Sequence, residues 1–305
     1  MNRFTLYAVS VAGTLIKGIV DQRVDPGIVA RALAADGMAD PTYAAVETQD
    51  PTISFTTHAL KTAIDACGIS GLAISATPVI LYFQKLGDLG IRADGATHLK
   101  LTVTRGLLVP RTLSARRGGA PATIEYALTP VWNGTADPII AAVSQALAGT
   151  PGLDQAYTVG PVRINSVSVA LDNTQEITVD FGIQVSVGQK DGEVFPRDAA
   201  IMSRRPTIRV TSLDAEILST FGPSGAKQGT ADSEVWLRKI DRLGTRIADA
   251  TAEHIKIAVD DGIITPLPVG SAQDGEAEGG VLITPVYDGT AAILAISTAA
   301  AITAA

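Results

Sequence analysis

The sequence predicts a mainly β protein built as two tandem antiparallel β-sandwich or barrel domains, each with one flanking α-helix. Three observations carry this. Apolar and polar residues alternate with period two in HLKLTV from His98, TIEYALTPV from Thr123 and HIKIAV from His254. Glycine (29) and proline (16) are abundant enough to punctuate many short strands. The chain also repeats itself at an offset of about 155 residues, so a length of 305 residues reads as two copies of one domain of about 150 residues.

The repeat is ungapped over Val24–Thr56 and Val179–Thr211. It holds 13 identities in 33 positions, where background residue usage gives roughly two. Among them are Asp25/Asp180, Gly27/Gly182, Asp36/Asp191, Gly37/Gly192, Pro41/Pro196 and Pro51/Pro206. Downstream, HLKLTVTRGLLVP from His98 matches HIKIAVDDGIITP from His254, and LTPVWNGTA from Leu128 matches ITPVYDGTA from Ile283. The expected domains are residues 1–148 and 157–305. The Gly/Pro-containing stretch 149–156 is the linker.

Taken in order, the opening run from Leu6 to Ile16 after Arg3 has the makings of a short signal segment, but a first strand leading into a turn accounts for it. Asp36-Gly37 marks a hairpin turn. Thr57 is a candidate N-cap for a helix over TTHALKTAIDACG, with Leu60 and Ile64 on one face and Gly68 as the stop. Leu99, Leu101 and Val103 share one strand face, as do Ile124, Tyr126 and Leu128. In the second half, IQVSVGQKDGEVF from Ile183 to Phe195 places Asp191-Gly192 between alternating runs, again a hairpin. TSLDAEILSTFG, with Ser212 before and Gly222 after, predicts the second helix. No run reaches the ~18 apolar residues of a membrane helix, so no membrane insertion is expected.

Composition excludes several functions. Lys+Arg is 24 against Asp+Glu 31, a net charge of −7, which argues against a nucleic-acid binder held by phosphate contacts. With 46% hydrophobic and 18% charged residues the chain is not disordered. Cys67 is the only cysteine, so no disulfide forms within the chain.

Catalytic vocabulary is poor. His98 and His254 occupy equivalent strand starts but have no neighbouring ligand at metal spacing, so local hydrogen bonding accounts for them. Asp25 and Asp180, in VDPG and VDFG, fit turn residues better than paired acids. Cys67 lacks a histidine partner and reads as a small buried hydrophobe. Arg116 and Ser203 open short basic clusters, RRGG and SRRP, that are not phosphate loops. Asp260, Asp261, Asp274, Glu276 and Glu278 are acidic without EF-hand spacing, and a solvated loop accounts for them. The expectation is no enzyme activity, no catalytic residues, no cofactor and no metal.

The pattern PTISFTTHALKTAID…LYFQKLG…HLKLTVTRGLLVPRTL…LTPVWNGTADPI, closing on ITPVYDGTAAILAISTAAAI, resembles the tail tube (major tail) proteins of long-tailed bacteriophages over nearly the whole chain. That resemblance implies a β-sandwich with a flanking helix, repeated in stacked rings that form a hollow tube for genomic DNA. The duplicated type implies homotrimeric rings of pseudo-sixfold symmetry in the virion tail. The subunit would be made in the host bacterial cytoplasm, with tape measure, terminator and distal tail proteins as further partners. Four lumen strands per domain, as the resemblance implies, give about 24 strands per trimer. At about 4.8 Å spacing and about 40° tilt, the barrel has a backbone diameter of about 48 Å and an opening of about 38 Å. Duplex DNA, about 20 Å across, fits that bore and does not fit a twelve-strand one.

Three chains carry −21 (3 × −7); if much of that charge lines the bore, duplex DNA is expected to meet no adhesive wall. The hairpin tips Asp36-Gly37 and Asp191-Gly192 are the candidates for ring stacking, as ribbons that reach a neighbouring sheet. Competing readings are another ring-forming tail component (terminator or distal tail protein), a tandem glycan-binding module, for which aromatics at 5% are scarce, and a hydrolase, for which paired acids or a triad are missing.

Overall fold

The computed structural model describes residues 3–87, 90–93, 95–118, 120–149, 152–153, 156–164, 169–171, 173–213, 227–229, 233–271, 277–290 and 292–303. The first half begins with β1 (Arg3–Val11), β2 (Thr14–Ile16), β3 (Ile19–Asp25), β4 (Ile28–Leu33), β5 (Tyr43–Gln49) and β6 (Thr52–Thr57). It continues through α1 (Leu60–Cys67), β7 (Leu72–Ile74), β8 (Val79–Leu86), β9 (His98–Val103), β10 (Gly106–Arg116), β11 (Thr123–Pro130) and β12 (Ile140–Gln145). The second half holds β13 (Ala156–Ile164), β14 (Val169–Leu171), β15 (Thr174–Asp180), β16 (Ile183–Gly188), β17 (Asp198–Arg204) and β18 (Thr207–Ser212). It ends with β19 (Lys227–Gly229), β20 (Ser233–Ile240), β21 (His254–Val259), β22 (Gly262–Gly270), β23 (Glu278–Pro285) and β24 (Ala295–Ala300). The protein is mainly β, as the alternation predicts, and every strand pairing is antiparallel.

Each half contributes a five-stranded sheet, in the order β12-β9-β8-β1-β2 and β14-β13-β20-β21-β24. A third sheet, of ten strands, runs through both halves: β19-β22-β23-β18-β15-β10-β11-β6-β3, with β7 added to β10. The junction is β10 of the first half against β15 of the second, Thr112–Arg116 opposite Asp180–Glu176. The halves therefore do not stand apart. Their inner faces feed one continuous hydrophobic core, from Val9, Phe55 and Leu108 to Val179, Leu237 and Ile283.

Alternation sets this up. Along β11 every second side chain is buried, Ile124, Tyr126 and Leu128 among them, and β21 does the same with Ile255, Ile257 and Val259. Burying such a side chain contributes about 1.5–3 kcal/mol. Phe55 and Tyr126 stack with centroids 5.5 Å apart. The first strand turns at Ala12-Gly13, both at positive φ, into β2.

Two local expectations shift. Thr57 is not the N-cap of α1; the cap is Ala59, and Thr57 closes β6, donating to the Lys17 carbonyl at 2.7 Å and accepting from the Ala59 N–H. The strand's demand for a buried residue at Thr57 outweighs its use as a cap. The helix keeps its predicted stripe, Leu60, Ala63, Ile64 and Cys67, and stops at Gly68 (φ 68°), whose carbonyl accepts from the Tyr126 hydroxyl at 3.1 Å. The second predicted helix, beyond Ser212 and Leu213, lies outside the described residues. Both hairpins exist, but their connections are longer than a two-residue turn. The return strands begin at Tyr43 and Asp198, because Pro41 and Pro196 cannot donate to a ladder at the expected positions.

The hairpins repeat one another bond for bond at an offset of 155. Met38 donates to Ala35 as Glu193 does to Lys190, and Thr42 donates to Leu33 as Arg197 does to Gly188. At their bases, Gly27 (φ 57°) and Gly182 (φ 55°) each take an Asp side chain on the N–H, Asp25 at 3.0 Å and Asp180 at 2.8 Å. Only glycine fits there, since a Cβ would stand 2.0 Å from the carbonyl oxygen of Asp50 or Arg205.

Candidate functional site

The ten-stranded sheet buries one face on the core and presents the other outward. Strand pairing places that outward face residue by residue. Asp21, Arg23 and Asp25 on β3 lie opposite Thr56, Ser54 and Thr52 on β6. Glu125 on β11 is opposite Thr56, and Ser114 meets Thr123 across a 3.0 Å hydrogen bond. Across the junction, Thr112, Ser114 and Arg116 face Asp180, Thr178 and Glu176. Beyond it, Thr178 and Glu176 face Arg209 and Thr211. Over β3, β6, β11, β10, β15 and β18 the surface is a lawn of hydroxyls carrying five carboxylates (Asp21, Asp25, Glu125, Glu176, Asp180) against three guanidiniums (Arg23, Arg116, Arg209), and on β23 and β22 it continues as Leu282, Thr265 and Ile263. The sequence hid it because threonine and serine on alternate positions look like ordinary solvent-facing strand residues.

The sheet path ends at β3 on one side and at β22, with β19 on part of it, on the other. These ends are related to the internal junction. β22 stands in the second half where β10 stands in the first, and β3 stands where β15 does. At the junction, the Phe181 N–H donates to Arg111 and the Arg117 N–H to Gln175. Antiparallel alternation then puts the N–H groups of Val179 and Ile177 on the junction side. Their counterparts on β3, Val24 and Gln22, direct theirs away from β6. On β22, Pro268 matches Thr112, whose N–H faces into the sheet, so Pro268 leaves the outer edge intact. Pro26 matches Phe181 and removes one donor.

The four tip residues do not come together. Asp36-Gly37 and Asp191-Gly192 occupy the turns of separate hairpins, exposed, with Gly37 at φ 83° and Gly192 at φ 79°. Their settings differ. The β16–β17 hairpin lies on the first half. The Val194 carbonyl accepts from the Gln49 N–H at 2.9 Å and the Pro196 carbonyl from the Trp132 N–H at 2.7 Å. The Arg197 guanidinium sits 4.2 Å above the Trp132 ring and pairs with Glu193, which holds the Glu193 carboxyl below its usual value. The β4–β5 hairpin is exposed along its whole first strand and most of its second.

The other candidates resolve into structure. His98 and His254 are buried, and each Nδ1 accepts from a backbone N–H, Lys85 or Lys239, at 3.0 Å. His254 Nε2 then donates to the Ala248 carbonyl at 3.1 Å, which uses both ring nitrogens. Asp25 and Asp180 serve the turns described above. Burial pushes the Cys67 thiol up to about 12, far from a nucleophile's range. Arg204 of the second basic cluster donates to the Ser70 carbonyl. Asp274 and Glu276 lie outside the described residues, and among the described residues no three His, Cys, Asp or Glu side chains cluster to hold a metal. No described helix is long and apolar enough to cross a membrane. No known protein family and no curated protein matches the chain.

Proposed function

We propose that the chain is a structural subunit that closes head to tail into trimeric rings, and that the rings stack as the tail tube of a long-tailed bacteriophage. One observation carries this reading: the β10–β15 junction leaves, at the two ends of the same sheet, the counterparts of the strands it joins. A contact that meets its own complement on the far side of the molecule is heterologous, and it forms a ring when the rotation closes. Without the three-residue β19 and β7, each chain supplies eight strands to the continuous path, four from each half, and three chains supply the 24 strands of a barrel with a bore of about 38 Å. The hairpin and turn geometry repeated at 155 residues supports the reading of two copies of one domain.

In such a ring the core-facing five-stranded sheets lie outside and the hydroxyl face lies in the lumen. Its excess of carboxylates over guanidiniums repels phosphates without concentrating charge, and threonine hydroxyls keep the wall hydrated. A basic wall would release counterions, bind the duplex and stall its passage. The partners that follow are other copies of the chain, tape measure, terminator and distal tail proteins at the tube's length and ends, and DNA in transit. No catalytic step is assigned.

Val24→Pro tests the reading. It removes a donor from the outer edge of β3 and leaves the ladder to β6 intact. Sedimentation is expected to show wild-type rings or tubes and a folded, monomeric variant. A variant that assembles like the wild type would contradict edge-to-edge closure.

A further inference from the structure

The docked hairpin covers a definite patch of the first half, and the second half carries that patch uncovered. Val131, next to the Trp132 N–H that the docked hairpin accepts from, is 5% exposed, and its counterpart Val286 is 50% exposed. Trp132, under Arg197, corresponds to Tyr287, which is 62% exposed. Gly134 (φ 97°) has the Arg197 guanidinium 2.8 Å from where a Cβ would be, whereas Gly289 (φ 96°) has nothing within 4 Å. The patch backbone is nonetheless the same, since the Val131 and Val286 N–H groups donate to the Arg105 and Asp261 carbonyls at 3.0 and 2.9 Å.

The mirror-image vacancy lies on the β4–β5 hairpin. Ile183 of the docked hairpin is 3% exposed, and its counterpart Ile28 is 54% exposed. Val29, Met38, Tyr43 and Val46 are exposed as well. Charge fits the two vacancies together. The β4–β5 connection carries Asp36 and Asp40 and no cation, and the receiving patch has exposed Arg205 where the first half has Asp50, the acceptor of Gln189 at 3.0 Å.

We infer that the β4–β5 hairpin of one chain clasps the Val286–Gly289 face of the neighbouring chain in the same ring. The Pro41 carbonyl takes the place held by that of Pro196, and Asp36 and Asp40 face Arg205. The occupant is a second copy, because the docked hairpin shows this chain already making the same contact with itself. The inference rests on head-to-tail ring closure. It assigns the hairpin that the sequence nominated for stacking to contact within a ring instead.

The test uses the full-length double variant Thr42→Cys/Tyr287→Cys, the counterparts of the contacting Arg197 and Trp132, treated with a short bismaleimide while rings are followed by negative-stain microscopy. Cys67 is buried and does not compete. The expected result is a covalent ladder that ends at trimer, absent from either single variant. Rings that form without cross-links overturn the clasp and leave ring closure standing. A ladder running past trimer places the hairpin between rings and also overturns it. Absence of rings in the wild type removes ring closure and the clasp together. Independently, Arg205→Glu is expected to raise the concentration needed for assembly at least tenfold, with recovery in Asp40→Arg/Arg205→Glu; no change in either variant contradicts the charge pairing.

Discussion

The β4–β5 and β16–β17 hairpins share their turns, their basal glycines and their Asx contacts, yet one is docked and the other is bare. Local sequence accounts for the shape of both and for the burial of neither. The second hairpin is covered because it lies on the first half, against Gln49 and Trp132; the first meets no such surface among the described residues. What a ribbon buries is therefore set by the surface it meets and not by its own sequence.

Four experiments probe this contrast. The largest effect is expected at the junction and its counterpart edge. Val179→Pro removes a ladder bond in the middle of the shared sheet and is expected to cost about 3 kcal/mol or more of stability in chemical unfolding. Val24→Pro should leave the monomer close to wild type in the same measurement. Equal losses would mean that β3 is not the free equivalent of β15.

Next come the basal glycines. Gly27→Ala and Gly182→Ala force a Cβ onto a carbonyl oxygen as well as straining φ, so each is expected to lose about 2–3 kcal/mol. Gly37→Ala and Gly192→Ala meet open space and should lose about 1 kcal/mol, from φ alone.

The patches follow. Trp132→Ala removes the ring under Arg197 and is expected to cost about 2 kcal/mol, whereas Tyr287→Ala should change monomer stability by less than about 0.5 kcal/mol and raise the concentration needed for assembly without abolishing it. Denaturation midpoints read the first effect and sedimentation the second.

The smallest effect is in pH. Arg197 holds the Glu193 carboxyl below 4.5, its value when unpaired, so the pair's contribution is complete above that value and is lost as pH falls through the lowered one. Trp132 fluorescence, read in a Trp236→Phe background, is expected to change below pH 4.5, and Glu193→Gln should abolish that step.

Much of this was legible in the residues themselves. Alternation at Ile124, Tyr126 and Leu128 marks a buried strand face because side-chain direction has period two. The matched Asp36-Gly37 and Asp191-Gly192 mark hairpins because few other pairs tolerate their turn. Thr57 misled because cap chemistry and strand burial favour the same residue type. The outward-facing threonines of the shared sheet, the β10–β15 junction and the docking of Arg197 on Trp132 were not legible. Each depends on which strands meet, the last two across 60 residues or more, and no local pattern encodes that.

The central claim is that three chains close head to tail around a bore wide enough for duplex DNA. End-on electron micrographs of the purified wild-type protein test it most directly. The account predicts hollow rings or tubes of three chains, with six similar lobes around an opening of about 38 Å. Monomers at every concentration, or rings whose opening is narrower than the roughly 20 Å of a duplex, would contradict it.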